Sequence, residues 1–81
     1  MFSQLNDPIE VAVIYKEARA LPWKFLWQGR EIKISKVNLI HHIWEGRSKI
    51  YYFAVTDGTS YFKLRFDTDK LTWTLVESYT D

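Results

Sequence analysis

The sequence predicts a single small all-β domain, an antiparallel meander of about six strands that either stays a curled sheet or closes into a small barrel. Three observations carry this expectation. Apolar and polar residues alternate with a period of two over most of the chain. β-Branched and aromatic residues dominate those runs, with 4 Trp, 5 Tyr and 5 Phe among 81 residues. Short turn signals, Asp57-Gly58 and either Gln28-Gly29 or Gly29-Arg30 among them, separate the runs where helix-length segments would otherwise be needed.

The length fits one core, since two would each approach the size at which folding without disulfides or metals becomes hard. The chain is read as one domain over residues 1–81, with Met1 to Pro8 as a loose N-terminal lead. The first strand is Ile9 to Lys16, opened by Asp7-Pro8, because proline disfavours a helical conformation before it. Glu17 to Leu21 is expected to be a connection, too short for a stable helix. Trp23, Phe25 and Trp27 alternate with polar or smaller neighbours, and after Gly29-Arg30 the pattern resumes at Ile32 and Ile34, so these five residues share a hairpin face. The alternation slips at Lys36-Val37, which predicts a bulge or bend before Asn38 to Gly46, whose conformation the pattern leaves open.

Asp57-Gly58 predicts a type I′ turn, which places Phe53 opposite Phe62 and Tyr52 opposite Lys63. A four-residue loop, Asp67 to Lys70, then sets Leu64 opposite Trp73. One face carries Tyr51, Phe53, Val55, Phe62, Leu64, Phe66, Leu71, Trp73 and Leu75 and is the expected core. The other carries Ile50, Tyr52, Ala54, Tyr61, Lys63, Arg65, Thr72, Thr74 and Val76.

Composition limits the function classes. With no cysteine, thiolate metal sites and disulfides are excluded, and a reducing, cytoplasmic setting is the expected one. No apolar run approaches the ~18 residues that could span a bilayer as a helix, so no membrane partner is expected. Net charge is +1, yet Arg19 to Lys49 holds seven basic residues against Glu31 and Glu45, a local +5 that leaves −4 elsewhere.

Tyr52, Tyr61, Lys63 and Arg65, with Lys24 and Lys33 outward on the first hairpin, form the candidate nucleic-acid or ligand face. Aromatic planes beside cations are what a sheet needs to stack bases and neutralise phosphates. The same residues equally serve as cross-strand pairs that stabilise a half-exposed sheet. Ala54 leaves room for a shallow groove on that face. Trp44 and Arg47 are the candidate protein-partner contact. An exposed Trp44 would be a binding hot spot; the expectation is that it caps one end of the core.

His41, His42 and Glu45 supply no three local ligands, and on a strand the two histidines would point oppositely, so no metal site is expected. Asp67 and Asp69 are read as an Asx-type turn. No nucleophile elbow, cysteine nucleophile or glycine-rich phosphate loop is present, so a non-enzyme without cofactors is expected.

The run Pro22, Phe25, Trp27, Gly29, Arg30, Ile32, Ile34, Val37, then Trp44, then Tyr51, Tyr52, Val55, Thr56, Tyr61, Leu64, Trp73 and Leu75 resembles a family of small uncharacterised bacterial all-β domains. The resemblance covers roughly Ile9 to Asp81. Some members of that family are associated with error-prone DNA polymerases, which implies nucleic-acid contact. The combined expectation is a binding module with an unknown protein partner, nucleic acid being the alternative, as monomer or homodimer.

Overall fold

The computed structural model describes residues 1–80. Its strands are β1 (Phe2–Lys16), β2 (Arg19–Trp27), β3 (Arg30–Lys33), β4 (Lys36–Glu45), β5 (Ser48–Thr56), β6 (Tyr61–Asp67) and β7 (Thr72–Tyr79). They form one antiparallel sheet in the order β3-β2-β1-β7-β6-β5-β4. The all-β meander is as the alternation predicts. The barrel is not closed: β3 and β4 lie at opposite edges of the sheet.

β1 explains the shape. Its first half pairs with β7, from Phe2 opposite Tyr79 to Ile9 opposite Trp73, and its second half pairs with β2, from Glu10 opposite Leu26 to Lys16 opposite Arg19. Irregularities at Gln4/Asp7 and Ala12/Val13 interrupt the two ladders, and bulges of this kind bend and twist a strand. The sheet therefore folds over itself at β1. Phe25 and Ile32 come down on Phe53, Val55, Phe62, Leu64 and Leu75 with Ile9 to make the core. Phe25 meets Phe62 edge-on with ring centroids 5.3 Å apart, and Trp27 meets the same ring at 6.5 Å. The Trp27 indole Nε1 donates to Asp7 Oδ2 at 2.9 Å, which satisfies its polar atom at the margin of the core.

Several expectations are corrected. Residues 2–8 are part of β1 and not a loose lead. Their inward positions, Ser3, Leu5 and Asp7, are partly buried, but two of the three are polar, so no hydrophobic alternation announces them. Glu17 and Ala18 form a two-residue turn with φ of 54° and 62°, and β2 starts at Arg19 where a connection was expected. Asn38 to Gly46 is a strand and its turn, with an irregularity between Val37 and Leu39 where the pattern slips.

Both later hairpins leave the expected register, by two residues at Phe53 opposite Leu64, Tyr52 opposite Arg65 and Leu64 opposite Leu75, and by three beyond an irregularity at Lys63/Leu64, where Phe62 lies opposite Ser78. Asp57-Gly58 does not make a type I′ turn. The loop is four residues long because Asp57 Oδ1 accepts from the Thr59 and Ser60 amides at 2.8 and 2.7 Å, while Thr56 Oγ1 accepts from Gly58 and donates to the Ser60 carbonyl. A shift of two preserves side-chain parity, so the face assignments survive it. Three exceptions remain. Leu71 lies in a turn with φ 56° and is exposed; Trp23 is the extra residue of the bulge opposite Ala12/Val13 and is 39% exposed; Ile50 is fully buried on the outward side beside Ile43 and Asp67.

Candidate binding site

The outward face brings some of the expected residues together. Tyr52 is the hub. His41 stacks on one side of it with centroids 5.1 Å apart, and the Lys63 ammonium lies 4.9 Å from its ring centre. Arg65 Nη2 donates to Glu45 Oε1 at 2.8 Å. Burial pulls the Arg65 guanidinium down, but hydrogen bonds to Tyr52 and Glu45 outweigh it and hold the group above its ordinary value. Lys63 pairs with Glu77 at 3.6 Å. Tyr61 is exposed further along β6, beside a groove of about 200 Å³ bordered by Ala54, Lys63 and Glu77.

Lys24 and Lys33 do not join this cluster. They face each other across β2 and β3, and Lys24 pairs with Glu31 at 3.7 Å. The strand order puts β1 and β7 between them and the Lys63–Arg65 strand, roughly 14 Å for Lys24 and roughly 19 Å for Lys33 along a sheet that curves away from its outer side. Three of the four outward cations that would meet phosphate already have carboxylate partners. His41 and His42 face opposite ways, toward Tyr52 and Tyr51 respectively.

The more distinctive feature lies where the sheet fails to close. β3 passes to β4 through Ile34 and Ser35 alone, a link that reaches roughly 10 Å. Ser35 donates its amide to the Thr56 carbonyl at 2.8 Å, and Ile34 to the Trp23 carbonyl at 2.9 Å, so the two edges meet at that end. At the other end they part. β3 is opposite only Lys24 to Trp27, which leaves the start of β2 without a neighbour on that side. Between it and β4 lies an open gap of about 490 Å³ lined by Arg19, Leu21, Val37, Asn38, Leu39 and Ile40.

β4 thus carries a free edge of ten residues. Trp44 at 62%, Leu39 at 57% and Ile43 at 40% are exposed along it. The expectation that Trp44 caps the core is overturned: it pairs with Lys49 near the hairpin tip, beyond the last core position on β5. Arg47 is exposed in the turn next to it. Among the described residues, Lys36, Arg47 and Lys49 have no carboxylate within ion-pair distance, and Lys49 instead lies 4.9 Å from the Tyr51 ring centre. The opposite edge differs, because β3 has only four residues and Arg30, Glu31 and Lys33 among them, the charges that deter edge pairing.

The sequence singled out Trp44 and Arg47, with Ile43 beside them, as a candidate contact, but pointed to neither Leu39 nor the gap. The apolar residues of β4 were visible; that nothing pairs with them depends on β1 joining β7, a contact between the two ends of the chain.

The fold and site together define an open, bent antiparallel sheet with one unprotected apolar edge. Comparison with protein-family models, with curated proteins and with solved structures finds no match.

Proposed function

We propose that this domain is a non-catalytic binding module that takes an extended segment of a protein partner along the free edge of β4. The observation that carries the reading is that edge: a ten-residue strand with three exposed large apolar side chains, facing an open gap instead of a neighbouring strand. Added strands gain affinity from main-chain hydrogen bonds and specificity from alternate side chains. Side chains of an added strand would meet Leu39, His41 and Ile43 on one side and Ile40, His42 and Trp44 on the other. Lys36, Arg47 and Lys49 favour an acidic segment.

The test is titration with a ten-residue peptide that alternates valine with aspartate or glutamate, read by amide NMR shifts. The reading expects shifts along β4 that weaken with salt, and a loss of about tenfold in affinity in Trp44→Ala, whose exposure leaves folding intact. Shifts confined to Tyr52, Lys63 and Arg65, produced by single-stranded oligonucleotide and not by peptide, would replace it with nucleic-acid contact. A scrambled basic peptide binding equally well would also count against it.

A further inference from the structure

We propose a second site, which adjoins the gap beside β4 and shares Arg19 and Ile40 with it: the concave side of the sheet binds a small planar aromatic anion, with an aromatic floor for the ring system and Arg19 for the charge. A cavity of about 420 Å³ opens there, lined by Val13, Ile40, Tyr51, Phe53, Phe66 and Trp73, with the β1–β2 turn, including Arg19, at its rim.

The floor is unusual in its content. Phe66 and Trp73 stack with centroids 4.6 Å apart, Trp73 leans on Phe53 at 5.4 Å, and Phe53 on Tyr51 at 6.2 Å. Phe53 alone of these four rings is buried; Tyr51, Phe66 and Trp73 keep part of their surface open toward the cavity. Trp73 is therefore not the fully buried core residue expected from its alternation, but a wall of this space. A contiguous aromatic surface left half-covered inside a concavity is the common composition of small-molecule sites, which run from about 300 to 1,000 Å³. The size matters to the choice of occupant, because one anchoring side chain from a partner strand would fill only part of it.

Charge selects within that class. Among the described residues, Arg19 is the sole charged one lining the cavity, and no carboxylate lines it. Arg19 has no ion-pair partner among the described residues. A guanidinium offers paired donors that match a carboxylate, and it does so here at the mouth, where an amphipathic ligand would leave its polar end. The turn that presents Arg19 is held in an uncommon conformation, with Glu17 and Ala18 both left-handed although neither is glycine. The inference does not depend on the β4 edge being used by a peptide.

The probe is 2-naphthoate, compared with neutral 2-naphthamide, each titrated into the full chain and followed by amide and side-chain NMR shifts. The proposal expects naphthoate shifts at Val13, Ile40, Tyr51, Phe53, Phe66 and Trp73, and binding at least fivefold tighter than the amide. Arg19→Gln should abolish that preference. Ala20→Trp, placed at the exposed rim so that folding is kept, should fill the cavity and remove binding of both. Absence of shifts at these residues up to millimolar ligand, equal binding of acid and amide, or an acid preference unchanged in Arg19→Gln would each overturn it.

Discussion

Replacing Phe62 by alanine removes the ring on which the two halves of the bent sheet meet. Phe62 is 5% exposed, stands edge-on to Phe25 at 5.3 Å and also meets Trp27. Truncating a buried phenylalanine costs about 3–5 kcal/mol, from lost burial plus the cavity left behind. An 81-residue domain has a total stability of roughly 4–12 kcal/mol, so Phe62→Ala is expected to be largely unfolded or close to it. Phe62→Leu keeps most of the volume and should cost about 1–1.5 kcal/mol. Urea unfolding followed by circular dichroism gives both values. A Phe25→Leu, Phe62→Leu double-mutant cycle should show coupling of about 0.5–1.5 kcal/mol. A Phe62→Ala protein within about 1 kcal/mol of the parent, or zero coupling to Phe25, would refute the fold-over of β2 and β3 onto β5 and β6.

Other consequences can be checked with the same urea assay. Glu17→Asn with Ala18→Gly places residues that tolerate positive φ in the β1–β2 turn, and should stabilise by about 1 kcal/mol; destabilisation would mean that the turn is not left-handed at both positions. Asp7→Ala leaves the Trp27 indole N–H without its acceptor and should cost about 1–2 kcal/mol, with Asp7→Asn recovering part of it; an Asp7→Ala change under about 0.3 kcal/mol would contradict the bond. Backbone amides of Ser60 and Thr59 hold the Asp57 carboxyl below its ordinary 3.8, and those of Lys70 and Asp69 do the same for Asp67. Groups with depressed folded values stabilise above the unfolded value and lose that contribution as pH falls through the folded one, so stability should drop below about pH 4. The double variant Asp57→Asn, Asp67→Asn keeps an acceptor at each loop and should flatten that drop; an unchanged acid limb would exclude these two loops as its source.

How legible the molecule was in its sequence depends on the range of the interaction. Side-chain parity is local: it assigned Phe53, Val55, Phe62, Leu64 and Leu75 to the core and put Phe25 and Ile32 on one hairpin face, and all seven are buried, even though two hairpins pair two to three residues off the expected register. The Asp57-Gly58 dipeptide misled because its turn preference competes with hydrogen bonds from the side chains of Thr56 and Asp57, which close a longer loop. A bulge hides inside an alternation, so Trp23 changed environment without any break in residue type to mark it, while Ile50 is buried on the outward side between its regular partners Ile43 and Asp67. The site was least legible of all. Exposure of Trp44, the gap beside Val37 to Ile40 and the half-covered Trp73 follow from which strands become edges, and that is decided by β1 pairing with β7 across almost the whole chain.

Amide hydrogen exchange on the free and peptide-loaded protein tests the central claim, that β4 is an open edge awaiting a strand. In the free protein, the amides of Lys36 to Glu45 that do not bond to β5 should exchange fast, while those of β5 and β6 are protected. Adding the acidic extended peptide should slow these β4 amides selectively. Protection of the β4 edge already present in the free protein and independent of concentration, or edge amides left fast at saturating peptide, would contradict it.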